Sequence, residues 1–72
     1  MTGLKQARLQ KGAQRGKTLP QREVAEAVGI TPQFYNAVEC GREDASLSLW
    51  KRLSVYFGKT IDELIREVPE QS

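Results

Sequence analysis

An all-α fold follows from three features of this 72-residue chain. Apolar residues recur at spacings of three and four rather than two, and β-branched runs are absent. Short apolar stripes are also punctuated by Gly and Pro with capping residues beside them. A chain of this length buries only about 60% of its unfolded surface, so one domain spanning 1–72 with a single core is expected.

The elements follow in order. A first helix covers roughly residues 2–11, with Leu4, Ala7 and Leu9 as a thin apolar face and Gly12 as its stop. Residues 12–18 carry two glycines and two bases without periodicity, which predicts a mobile basic loop. A second helix runs from Leu19 or Pro20 to Val28, with Thr18 and Gln21 at capping-box spacing and Val24, Ala25 and Val28 inward. Gly29 supplies the turn. Thr31 and Pro32 then open a third helix as N-cap and first helical residue, carrying Phe34, Tyr35 and Val38 towards Gly41. Ser46 caps a fourth helix whose stripe is Leu47, Trp50, Leu53 and Phe57, ended by Gly58. Thr60 and Glu63 form a capping box for a fifth, with Ile61, Leu64 and Ile65 inward, and a polar tail follows over 69–72.

Composition excludes several classes of function. With no histidine and one cysteine, the chain has no imidazole base, no His-containing zinc site and no internal disulfide. No catalysis, metal, cofactor or small-molecule substrate is expected. The apolar stretches are far shorter than the roughly 20 residues of a membrane span, and the N-terminus lacks the apolar core of a signal peptide, so a soluble cytoplasmic protein is expected. Stability then rests on packing of short helices, helped by self-association, which makes a homodimer the expectation.

Charge is unevenly distributed. Residues 1–22 carry six bases (Lys5, Arg8, Lys11, Arg15, Lys17 and Arg22) and no acid, whereas the remaining fifty carry five bases against nine acids. Such a field suits a polyanion, although a solvated basic N-terminus would produce the same count.

The informative unit is residues 20–40, two helices of about eight residues joined by a three-residue turn. Ala25 is small where the helices cross, Gly29 accepts positive φ, and Val24, Val28, Ile30, Tyr35 and Val38 face inward, which is the grammar of a helix-turn-helix. Four stretches extend the pattern: Leu-Pro-Gln-Arg-Glu-Val-Ala-Glu-Ala-Val-Gly-Ile-Thr (19–31), Val-Glu-Cys-Gly-Arg (38–42), Ser-Leu-Ser-Leu-Trp-Lys-Arg-Leu (46–53) and Phe-Gly-Lys-Thr-Ile-Asp-Glu-Leu-Ile (57–65). Through them, Leu4 to Ile65 resembles the compact five-helix, lambda-repressor-like DNA-binding domain of the phage repressor and Cro family, also called Xre. It departs from that pattern at Pro20, where Thr or Ser is usual, in a longer loop after Gly12, and at Asn36 in place of Ser.

The resemblance implies that the third helix enters the major groove and the second crosses the backbone above it. Its outward residues are Thr31, Pro32, Gln33, Phe34, Asn36 and Ala37. Gln33 and Asn36 are the base-reading candidates, since their amides match adenine N6 and N7; the alternative for each is a solvated surface amide. Phe34 is suited to a thymine methyl or to folding back on the long loop. Gln21, Arg22, Thr31 and Arg42 are phosphate candidates, with Arg15 and Lys17 added from the loop; ion pairs of Arg22 with Glu26 and Arg42 with Glu39 are the alternatives. Glu39 reads as structural, Cys40 as packing, and Trp50 and Phe57 as core. In similar proteins the dimer surface lies near the last two helices, which points to Tyr56, Lys59, Ile61 and Ile65.

The function implied is a transcription regulator, a repressor that binds a double-stranded operator as a homodimer. The rival is a protein-interaction module, an antitoxin or adaptor on the same fold, which would use Phe34, Tyr35 and the acidic C-terminal half.

Overall fold

The computed structural model describes residues 2–67. Five helices form among them: α1 (Gly3–Gln14), α2 (Gln21–Val28), α3 (Pro32–Glu39), α4 (Leu47–Phe57) and α5 (Ile61–Ile65). The polar tail at 69–72 lies outside the described residues. An isolated antiparallel bridge joins Thr2 to Glu67, and the Gly3 N–H donates to Arg66 O at 2.7 Å, so α1 starts against the end of α5.

α1 passes through Gly12 and ends at Gln14, two residues beyond the expected stop. Gly12 is buried, and the turn folds back over it: the Lys17 N–H donates to Gly12 O at 3.0 Å, and a Cβ added at Gly12 would lie 2.7 Å from Lys17 O. The glycine therefore permits a close approach rather than ending the helix. The expected mobile loop shortens to Arg15–Pro20 and is tied down at both ends, with Leu19 in the core.

The expected Thr18–Gln21 capping box does not form. Pro20 is the N-cap of α2 and makes no side-chain cap bond. A residue before proline is steered out of the helical region, which keeps Leu19 outside the helix; Pro20 itself is extended and α2 starts after its ring. Gln21 is engaged elsewhere. At the far end Gly29 adopts φ 80°, and the N–H groups of Gly29 and Ile30 return to Glu26 O at 3.3 Å and Ala25 O at 2.9 Å, a Schellman closure.

The caps read from the sequence hold at the next three helices. Thr31 Oγ1 accepts from the Phe34 N–H at 3.1 Å, Ser46 Oγ accepts from the Leu49 N–H at 3.2 Å, and Thr60 and Glu63 close a full capping box. The stripe of α4 is rotated from the one expected. Leu49 and Leu53 are buried, Trp50 and Phe57 are half-buried against the core, and Leu47 is 62% exposed beside its cap. On α5 Leu64 is buried and Ile61 half-buried, but Ile65 is 54% exposed rather than inward. Burying each of Leu49, Leu53 and Leu64 contributes roughly 1.5–3 kcal/mol.

α2 packs on α3 and α4, and α1 closes the other side against α4 and α5. Ala25, Val24, Val28, Tyr35 and Val38 are buried and Ile30 half-buried, as the helix-turn-helix pattern requires. One acid joins them. Glu39 is 3% exposed, and Arg8 reaches it from α1 with two parallel bonds, Nε to Oε2 at 2.9 Å and Nη2 to Oε1 at 3.0 Å. Arg8 Nη1 also donates to Leu19 O at 2.8 Å, and Thr2 Oγ1 donates to Glu39 O at 2.8 Å. The start of α1, the α1–α2 turn and the end of α3 are thereby clamped on one ion pair.

Two predictions follow from this packing. Gly12→Ala should lower the thermal midpoint even though alanine is the better helix former, because the new Cβ meets the Lys17 carbonyl; a midpoint equal to or above the parent's would contradict the close approach. The second concerns acid. Burial pushes the Glu39 carboxyl up, but the bonds and charge of Arg8 and the bond from Gln21 outweigh it and hold its pKa below the ordinary value. A depressed carboxylate pKa adds stability at pH above the unfolded value of about 4.3, and this is lost as pH falls through the folded value. Carbon-detected titration of Glu39 should thus give a midpoint below about 4.3, with thermal stability falling across the same range, whereas a midpoint above it would contradict the clamp.

Candidate nucleic-acid interface

α3 is a short helix whose two faces have opposite characters. Inward, Tyr35, Val38 and Glu39 are buried, and burial first and the Glu39 carboxylate second push the Tyr35 phenol pKa up, keeping it neutral. Outward, Pro32, Gln33, Asn36 and Ala37 line a shallow surface concavity with Arg42 and Glu43 from the segment that follows. The structure thus brings five of the residues singled out in the sequence onto one surface. Thr31 and Gln33 are exposed, and Pro32, Asn36 and Ala37 are half-buried at its floor.

Phe34 departs from the expected exposed aromatic. It is half-buried and packs against the core, so part of its ring is held by the fold itself. Tyr35 is wholly buried and presents no surface to a partner, which removes one support of the protein-interaction reading.

Gln21 sits at the first turn of α2 and is half-buried, and its amide bridges two helices. Nε2 donates to Glu39 Oε1 at 2.9 Å, and Oε1 accepts from Asn36 Nδ2 at 3.1 Å. Asn36 Oδ1 accepts in turn from Arg42 Nη2 at 2.6 Å. Neither Asn36 nor Arg42 is therefore a free side chain. The suggested Arg42–Glu39 ion pair is replaced by Arg8–Glu39, because Glu39 is buried against α1 while the exposed Arg42 bonds Asn36.

The remaining bases lie apart from the concavity. Arg15 Nη1 pairs with Glu23 Oε2 at 2.9 Å on the α1–α2 turn, both groups being roughly two-fifths exposed. Lys17 is exposed on the same turn and Arg22 on α2. Of the six bases in the first 22 residues, Arg8 and Arg15 are thus engaged in internal ion pairs, and the basic surface is smaller than the residue count implies.

Cys40 is exposed rather than packed. Tyr56, Lys59 and Ile61 are half-buried where α4 passes into α5, and Lys11 Nζ stands 4.8 Å from the centre of the Tyr56 ring and donates to the Tyr56 carbonyl at 3.3 Å. Sequence reasoning missed Val55, which is 84% exposed on α4, and the role of Glu43 on the wall of the concavity. It also missed the partners of Glu39. A lone acid inside an apolar stripe at Val38-Glu39 was the available signal, since a buried carboxylate demands a cation.

Among the described residues no group of His, Cys, Asp and Glu is arranged to hold a metal ion, and no helix is long and apolar enough to cross a membrane. Neither the characterised proteins nor the solved structures compared with the chain match it. A family model described as helix-turn-helix matches residues 4–64, a span from the first turn of α1 into α5. With α2 packed on α3, Ala25 buried, the turn closed by Gly29 and the outer face of α3 open, the chain belongs to the helix-turn-helix family of DNA-binding regulators, in its Xre and Cro branch.

Proposed function

We propose that the protein is a sequence-specific repressor that binds an operator as a homodimer, with the outer face of α3 in the major groove. The observation that carries this reading is the exposed amide of Gln33 on the second residue of α3, on one concave surface with Asn36, Ala37 and Arg42. An amide there can pair with the N6 and N7 edge of adenine, and the small Ala37 lets the duplex approach. Thr31, Arg22 and Arg42 flank that surface and supply phosphate contacts, as does the backbone N–H of Gln21 at the start of α2, its amide being engaged inside the fold, with Lys17 and Arg15 reaching from the α1–α2 turn. Phe34 adds the exposed part of its ring.

A two-fold operator follows from pairing two copies. Tyr56, Lys59, Ile61 and Ile65 form the proposed dimer surface, and the exposed side chain of Ile65 favours it. Half-sites about one helical turn apart place both α3 helices on one side of the duplex.

Selection from a random duplex library at about physiological salt tests the reading. Enrichment of an inverted repeat, bound with a steep dependence on protein concentration and losing affinity as salt rises, is the expected result. No enrichment, with affinity indifferent to salt, would replace it with the protein-interaction reading. On the enriched site, Gln33→Ala should cost roughly 1–3 kcal/mol while changing binding to random duplex little. Equal losses on both would remove Gln33 from base recognition. Arg22→Gln should weaken binding to both duplexes alike and flatten the salt dependence, and a loss confined to the enriched site would contradict a phosphate role.

A further inference from the structure

The hydrogen bonds at the α2–α3 corner have a direction, and a buried charge sets it. The Glu39 carboxylate, paired with Arg8, has only acceptor oxygens. Gln21 must therefore turn Nε2 towards it, at 2.9 Å, and its Oε1 is left facing Asn36. An oxygen there accepts only, so Asn36 must offer Nδ2, at 3.1 Å. Its Oδ1 is then the atom left towards the concavity, where Arg42 Nη2 donates to it at 2.6 Å. Flipping either amide would set donor against donor or acceptor against acceptor along a part-buried chain of bonds that ends on a buried charge.

We propose that Asn36 is a specificity-determining residue of imposed polarity: its Oδ1 is presented to the groove as an acceptor, with Gln21 and Glu39 as positioning residues behind it. This rests on the DNA-reading function proposed above. An asparagine free to rotate offers either end of its amide and tolerates either kind of base edge. Held in one orientation, with Nδ2 turned to Gln21, Asn36 offers the groove the second lone pair of Oδ1 beside the Arg42 bond, and only a donor on a base edge can pair with it. In the major groove the exocyclic donors are adenine N6 and cytosine N4, whereas guanine O6 and thymine O4 are acceptors. Asn36 thus discriminates amino bases from keto bases at the position it faces, whereas Gln33, exposed on the same surface, carries no such imposed direction.

The test has one arm without DNA and one with it. In the free protein, the side-chain NH2 resonances of Asn36 and Gln21 should be resolved and slow to exchange with solvent, and Gln21→Met should return Asn36 to the exchange of a solvated amide. Gln21→Met leaves the Arg8–Glu39 pair in place, so the fold is retained, and its circular dichroism and melting are checked first. In the second arm, duplexes carrying each of the four bases at every position of the selected site are compared. The parent should prefer an amino base over a keto base by about tenfold at one position per half-site, and both Gln21→Met and Asn36→Ala should reduce that preference to under about threefold. A preference that survives Gln21→Met unchanged would overturn the positioning role, and one that survives Asn36→Ala would overturn the assignment to Asn36. Solvent-like exchange of Asn36 in the parent would overturn the relay itself, whatever the DNA arm shows. Slow exchange with no duplex preferred at all would overturn the DNA reading and, with it, this use of the relay.

Discussion

The buried carboxylate of Glu39 is the constraint on which the rest of the arrangement depends. A charge removed from water costs several kcal/mol unless every lone pair finds a donor. The structure meets that demand from two helices, with Arg8 from α1 and Gln21 from α2 on the carboxylate, while Thr2, the N-cap of α1, bonds the residue's own backbone carbonyl. Satisfying one acid therefore fixes α1, the first turn of α2 and the end of α3 together. Hydrophobic burial supplies most of the stability, but it is tolerant of small sliding motions. The ion pair is not, and it converts a packed bundle into one with a defined register at the α2–α3 corner.

The same residue links packing to the outer surface. From Glu39 the bonds pass through Gln21 and Asn36 to Arg42, so a side chain 3% exposed governs how exposed ones are held. Arg8, the cation that makes this possible, is withdrawn from the basic N-terminal segment, and Arg15 is engaged with Glu23. The electrostatic attraction that the N-terminal segment and the α2–α3 unit offer a polyanion therefore comes from fewer groups than the sequence count suggests, the exposed Lys17, Arg22 and Arg42 among them. On the proposed function, shape and hydrogen-bonding direction on α3 would carry correspondingly more of the recognition.

What could be read in the sequence is what depends on neighbours a few residues away. Caps at Thr31, Ser46 and Thr60 are bonds to an N–H three residues on, and the turn at Gly29 needs only a residue that tolerates positive φ. Most positions on α3 that face outward were legible for the same reason, since helical spacing fixes them once Tyr35 and Val38 are inward, Phe34 being the exception that packs partly on the core. What failed was non-local. Gly12 looks like a helix stop until the Lys17 carbonyl is seen lying over it. Leu47 and Leu49 offer two phases for one amphipathic stripe, and only the packing of α1 and α2 against α4 selects the second. Arg8 and Glu39 are 31 residues apart, and the Gln21–Asn36 bond spans 15, separations at which no local rule pairs side chains.

The most direct measurement is a crystal structure of the protein on its selected duplex. The account predicts α3 in the major groove, with the Gln33 amide at a base edge, Asn36 Oδ1 facing an adenine or cytosine amino group, and the Glu39–Gln21–Asn36 bonds unchanged from the free protein. A complex in which the outer face of α3 points away from the bases would contradict it, as would one in which Asn36 has turned its Nδ2 to the groove while Gln21 still holds Glu39.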